Sequence, residues 1–406
     1  MRRGIAASLA LITLACEPQT RADALVTSSD PELAQMAAEL LPDLAARAGL
    51  SLTRPVRIER RTRGELERYL EFKLEEELTD ADAEAITATY ALLGLVSDDL
   101  DLKAVLKDVY LEQVAGFYDP DSTMLFVIDD QPAALQETLL VHELVHAIQD
   151  QSADLDAITD PSLGNDRRLA AQAAIEGHAT LIMFELLMAR MQRRSVDVTE
   201  IPSFTDRIRP ALEAAQGQSP ALAAAPRIIQ ESLLFPYIGG ASFVDALWKA
   251  RRGRPAPFDE LLPRSTEQIL HPESFVGESR DQATPVRLEA VGGASPIYSD
   301  GLGELEVRIL LETHLGAAGA DLSTGWDGDR YALYEAPDGG RSLVWVSVWD
   351  DAASRDRFVA ALGTALVGLP APSVLRGADI DGRPGAVLEI GAPPPTRASL
   401  DGGAGE

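Results

Sequence analysis

The chain has 406 residues, 46% of them apolar and 25% charged. At roughly 150 residues per domain that is length for two or three domains, with a core that needs no staples and a composition that excludes disorder. Basic residues number 36 against 64 acidic, a net charge of −28, which repels a phosphate backbone and excludes nucleic acid as a partner. The single cysteine excludes an internal disulfide and any Cys-rich metal or iron–sulfur site.

In chain order, Arg2 and Arg3 precede the apolar run Gly4–Ala15. Residues 1–15 thus read as a secretory signal peptide, too short to span a membrane in the mature chain. The run ends at Thr13-Leu14-Ala15-Cys16, which resembles a bacterial lipobox, with Thr13 where Leu is usual. The expectation is an exported lipoprotein, acylated at Cys16 and held to the membrane by that anchor through a polar tether, 16–28. Glu17 rather than Asp after the cysteine points to the outer membrane or cell surface, with the body in the periplasm or outside. No later run is long and apolar enough to cross a bilayer.

The body opens with a helix over 31–48, capped by Asp30 and stopped by Gly49. A short strand, 56–61, lies within a group of five arginines between Arg54 and Arg63, read as a solvated face paired with the acidic stretch 71–84. Helices are expected at 64–77, 81–93 and 102–114. Residues 116–128 read as two strands around the turn Asp119-Pro120-Asp121-Ser122. Strong helices follow at 133–150 and 166–194. Residues 227–250 read as helix interrupted by a loop at Pro236–Gly240, and 251–300 as a surface wrap. Strands at 330–336 and 342–349, a helix near 352–367, and strands near 373–378 and 384–390 form a β-β-α-β-β pattern. The expected class is α+β. A mainly helical domain with a short edge sheet (29–275) would be joined by a connecting segment (276–320) to a small α+β domain (321–392), ending in a disordered tail (393–406). Trp326, Trp345 and Trp349 read as core aromatics.

Only five histidines occur in the chain, and two stand in His142-Glu143-Leu144-Val145-His146. On a helix, residues i and i+4 share a face, so both imidazoles can meet one metal ion. Glu143, about 100° round, is placed for a water molecule rather than for the metal. A catalytic zinc takes three protein ligands, so a third is required. The continuation Ala147-Ile148-Gln149-Asp150-Gln151-Ser152 lacks the glycine and third histidine of the metzincin pattern. The remaining candidate is Glu176, on a following helix made slim by Ala173, Ala174, Gly177 and Ala179. Asp150, Asp154 and His178 are rivals. His178, about 200° round from Glu176, reads as a supporting or exposed residue.

His142-Glu143-x-x-His146 followed by Glu176 resembles the gluzincin metallopeptidases. The phrases Val-His-Glu-Leu-Val-His-Ala-Ile-Gln-Asp and Glu-Gly-His-Ala resemble a little-described group of predicted bacterial and archaeal members. Gly116–Pro120, Ser265–Pro272 and Gly325–Tyr331 also fit that group. The resemblance covers roughly 110–350 and implies a zincin-like metalloprotease domain. One zinc per chain would be held by His142, His146 and Glu176. Glu143 would act as general base on water and then as acid to the leaving nitrogen. Many gluzincins carry Asp four residues after the third ligand, bonded to the first histidine; Thr180 stands there, and its hydroxyl is expected to accept that imidazole N–H. Tyr or His from further along the chain often assists the oxyanion, which nominates His271 and Tyr237. Met124–Ile128 takes the place of the edge strand that pairs with extended substrate.

The implied activity is zinc-dependent hydrolysis of peptide or protein substrates at the cell envelope. The alternative is a catalytically silent zincin-fold lipoprotein that binds peptides or envelope proteins. No G-x-S-x-G, phosphate-loop or dinucleotide fingerprint occurs.

Overall fold

A computed structural model describes residues 25–216, 219–277 and 280–401 of the chain. The expected signal peptide, 1–15, and Cys16 lie outside the described residues. Among those described, no helix is long and apolar enough to cross a membrane.

The N-terminal part is built on a four-stranded sheet of order β1-β2-β4-β3: β1 (Val26–Ser28), β2 (Val56–Arg61), β3 (Gly116–Asp119) and β4 (Met124–Ile128). β1, β2 and β4 are parallel, and β3 turns back antiparallel on β4. Residues 26–28, read as tether, are therefore part of the fold, because Val26–Ser28 pair with Val56–Ile58. The interior place of β4 also corrects the expectation that it is the open edge. β2 occupies one side of β4 and β3 the other, so the sheet edges belong to β1 and β3, the latter beside β4.

Helices α1 (Pro31–Ala48), α2 (Arg63–Glu77) and α4 (Leu102–Gln113) lie around this sheet, while α3 (Asp80–Leu92) packs toward the C-terminal strands, with Tyr90 donating to Glu306 and Arg341 to the Glu84 carbonyl. Their starts follow capping chemistry. Asp30 accepts from the Glu32 and Leu33 N–H groups, and Thr62 and Glu65 form a reciprocal capping box. The arginine group is paired, but not with the acidic stretch 71–84. Arg60 meets Asp30, Arg63 meets Asp130 and Arg54 meets Asp150. Lys103 and Lys107 take Glu75, Asp80 and Glu71 instead.

Three long helices carry the centre: α5 (Ala133–Gln149), α6 (Asn165–Gln192) and α7 (Arg227–Ala250). α7 is continuous through Pro236, Gly239 and Gly240, where a loop was expected. These small residues serve packing. A Cβ on Gly177 of α6 would sit 2.0 Å from the carbonyl carbon of Gly240, and one on Gly240 would sit 1.9 Å from the Ala173 oxygen. The two helices thus meet backbone to backbone, and only glycine permits it.

The C-terminal part is a five-stranded antiparallel sheet, β6-β7-β8-β10-β9: β6 (Tyr298–Asp300), β7 (Trp326–Glu335), β8 (Arg341–Trp349), β9 (Ser373–Ile380) and β10 (Arg383–Ile390). Preceding these, α8 (Thr266–Leu270) and β5 (Val286–Ala290) lead in from the helical part. α9 (Gly303–Leu315) and α10 (Ala352–Ala365) pack with the sheet, and Trp326, Trp345 and Trp349 are fully buried. The expected β-β-α-β-β unit is present as β7, β8, α10, β9 and β10. The stretch 276–320 is more than a connection, since it supplies β5, β6 and the buried helix α9. Part of the expected tail, 396–400, forms a strand. β11 (Thr396–Leu400) pairs antiparallel with β5, which satisfies a strand edge that would otherwise stand open. The chain combines a mixed N-terminal sheet, a helical centre and an antiparallel C-terminal sheet, a mixed helix-and-strand fold consistent with the α+β class.

Candidate metal centre

α5 has buried Leu140, Val141, Leu144, Val145, Ala147 and Ile148 against the core. That packing fixes the helix about its axis, so His142 and His146 emerge together toward α6. The slim face of α6 (Ala170, Ala173, Ala174, Gly177; all fully buried or nearly so) brings Glu176 opposite them. His142 Nε2 and His146 Nε2 are 3.0 Å apart. Glu176 Oε2 lies 3.0 Å from the first and 3.5 Å from the second.

Three ligand atoms converging in this way fit a zinc ion. Zinc bonds of about 2.0–2.1 Å at tetrahedral angles separate neighbouring ligand atoms by about 3.3 Å, and the observed triangle has that size. A point about 2 Å from all three corners exists just outside their plane, leaving the fourth direction open. The protonation pattern agrees. Gln149, fully buried, donates from Nε2 to the Ile175 carbonyl and to His178 Nδ1, both at 3.0 Å. Its amide orientation is thereby set, and Oε1 accepts from His146 Nδ1 at 2.8 Å. With a proton held on Nδ1, Nε2 is the nitrogen that gives up its proton to a metal and turns a lone pair toward the cluster.

Charge in the cluster is strongly coupled. Burial opposes ionisation of Glu176, but His146 and His142 prevail and hold its carboxyl far below the usual range. Burial likewise opposes charging of His146, yet the Glu176 carboxylate lifts it to about 9. Each group thus favours positive charge between them, which a divalent cation supplies. Glu143 is buried, and burial raises its pKa against the pull of both histidines, which makes its carboxylate a stronger proton acceptor than an exposed one. Its Oε2 accepts the Tyr118 N–H at 3.0 Å. Because that N–H is free of the β3–β4 ladder, the open edge of β3 faces the cluster.

Tyr237 is also present. Its ring centroid is 6.2 Å from that of His142. The Glu176 charge first, and burial second, hold its hydroxyl well above its ordinary pKa, so it remains a donor.

Other expected residues lie elsewhere. His271 is not brought to the cluster. Its Nε2 is 2.9 Å from Glu304, a carboxylate sealed in the interior, and that hydrogen bond first raises the pKa of His271. A buried acid draws the nearest donor, and here the donor is His271. Thr180 does not support His142. Its Oγ1 is buried without a hydrogen-bond partner among the described residues, being one bond nearer the backbone than an aspartate oxygen and unable to reach. Of the rival ligands, Asp150 accepts from Tyr118 OH at 2.7 Å and Arg54 at 2.8 Å. Asp154 caps a helical turn through the Ala157 N–H, and His178 supports Gln149.

Gln149, Tyr118 and Asp150 went unassigned in the supporting roles they occupy. Gln149 had one readable signal, a polar residue three positions after His146 in an otherwise apolar helix face.

The profile of a family described as a domain of unknown function (DUF8575) matches residues 293–389, which run from just before β6 through most of β10 and exclude the cluster. No curated protein and no solved structure matches the chain.

Proposed function

We propose that the protein is a zinc-dependent peptidase, with an endopeptidase the expected form, built on a zincin-like helical domain and held at the cell envelope through Cys16. The observation that carries this reading is the triangle of His142, His146 and Glu176 ligand atoms with Glu143 beside it. An inert metal scaffold has no need of that adjacent buried acid.

His142 Nε2, His146 Nε2 and Glu176 Oε2 would hold the ion. Zinc, when bound, lowers the pKa of water and polarises a carbonyl oxygen. Glu143 accepts the proton of the attacking water and delivers it to the departing amide nitrogen. The Tyr118 N–H holds the Glu143 carboxylate in one orientation for both transfers. The Tyr237 hydroxyl donates to the oxygen on which negative charge develops. The β3 edge offers main-chain groups to an extended peptide.

The test is metal analysis joined to a protease assay on an unstructured protein. Wild type is expected to hold one zinc per chain and to cleave. Glu143→Gln should retain the zinc and lose cleavage by at least about a hundredfold. Full zinc occupancy after His142→Ala would overturn the ligand assignment. Zinc binding by wild type without hydrolysis would favour the silent peptide-binding lipoprotein.

A further inference from the structure

A second group of carboxylates lies where α8 and the loop after it meet the C-terminal sheet. Glu267 of α8, Asp281 before β5 and Asp350 directly after β8 place carboxylate oxygens within 4.8 Å of one another. Glu267 is only 4% exposed, and its Oε2 is sealed from solvent with no hydrogen-bond partner among the described residues. An unpartnered buried carboxylate is costly, and a fold retains one where something neutralises it. Neighbouring cations do not. None of the three forms an ion pair with Lys or Arg among the described residues, and Arg383 makes its 2.5 Å contact with Asp327 instead. Arg280 stacks on Phe275 and donates to the Glu260 carbonyl. His271 is engaged by Glu304.

We propose that Glu267, Asp281 and Asp350 form a binding site for a hard divalent cation of the calcium class, which ties the helical part to the C-terminal sheet. The donor set is all oxygen and formally triply negative, which suits calcium and not the nitrogen-seeking metals. Calcium–oxygen bonds of about 2.3–2.6 Å can bridge oxygens spaced as these are, with water completing six to eight ligands. Exposed Asp350 leaves a route for the ion, while Glu267 fixes its inner side. Burial first, and the Asp281 charge next, raise the Glu267 carboxyl to about 9, so a proton stands on it whenever no cation does. This site shares no residue with the histidine cluster and stands or falls apart from it.

The experiment is a terbium titration of the full chain with zinc supplied at one equivalent, exciting tryptophan; Trp349 adjoins Asp350 in sequence. Sensitised terbium emission should appear, be displaced by calcium, and be displaced far less by magnesium. Calcium at about a hundred times its Kd should raise the Tm by about 3 °C. Glu267→Gln, which mimics the protonated acid in shape, should fold normally, weaken terbium and calcium at least tenfold and abolish the calcium shift. Asp350→Asn at the rim should weaken both ions without disturbing the interior. Absence of any calcium effect on wild-type emission and Tm overturns the proposal. So does an equal calcium response in wild type and both variants, or a calcium-independent stability gain in Glu267→Gln with no terbium binding to wild type.

Discussion

Gln149→Leu removes three buried hydrogen bonds at once: those to His146 Nδ1, the Ile175 carbonyl and His178 Nδ1. The Ile175 oxygen keeps its helix partner, so its loss is small. The other two ring nitrogens are left buried, at about 1 kcal/mol or more each. Metal-free protein should therefore lose about 2–3 kcal/mol in urea unfolding with an unchanged m-value. The larger consequence concerns the metal. Without Oε1 to hold a proton on Nδ1, His146 is free to place it on Nε2, the atom that faces the cluster. Removing such a supporting partner typically costs 10–100-fold in metal affinity. Competition with a chromophoric chelator measures this directly. Gln149→Glu restores an acceptor for Nδ1–H, and zinc affinity should return to within a few-fold of wild type. A folded Gln149→Leu protein that binds zinc within twofold of wild type refutes the tautomer argument.

Gly240→Ala should destabilise by about 3 kcal/mol or more, because its Cβ meets backbone that no rotamer change can move. Gly363→Ala, where a Cβ meets nothing within 4 Å, should be neutral or slightly stabilising in the same urea assay. Glu306 is raised by burial to about 8 from 4.5, against the hydrogen bonds of Tyr90 and Asn165. Folded protein thus keeps a proton that unfolded protein releases, and this contribution to stability falls as pH rises from about 4.5 to 8. Glu306→Gln should flatten the pH dependence of Tm across that window in chelator-treated protein; an unchanged slope would exclude the assignment. In a bacterial host, Cys16→Ser should abolish incorporation of labelled fatty acid, and equal labelling of both forms would end the lipoprotein reading.

Local sequence carried much of the molecule. Histidines four apart on an apolar helix had to share a face, and Glu176, amid the small residues of a following helix, was the acid best placed to approach them. The β-β-α-β-β pattern was readable because its turns and alternation are local signals. Failures came where long-range contact decides. Pro236, Gly239 and Gly240 read as breakers, yet α7 is held straight by its packing on α6. The zincin resemblance gave β4 the edge place, but β2, more than sixty residues earlier, pairs along that side. β11 read as a tail because β5, its partner, is more than a hundred residues away. His271 stood in a promising phrase, but nothing local revealed that a buried carboxylate at 304 would claim it.

On the peptidase reading proposed above, the brevity of β3 limits what a cleaved chain would be. Its four residues, Gly116–Asp119, end at Pro120, which has no N–H to offer. A rim this short grips few peptide units, and through groups that every amino acid possesses. Discrimination there would rest on whether a polypeptide stretch can lie straight and unpaired, so compact, folded proteins would be spared and loosened or misassembled ones cut.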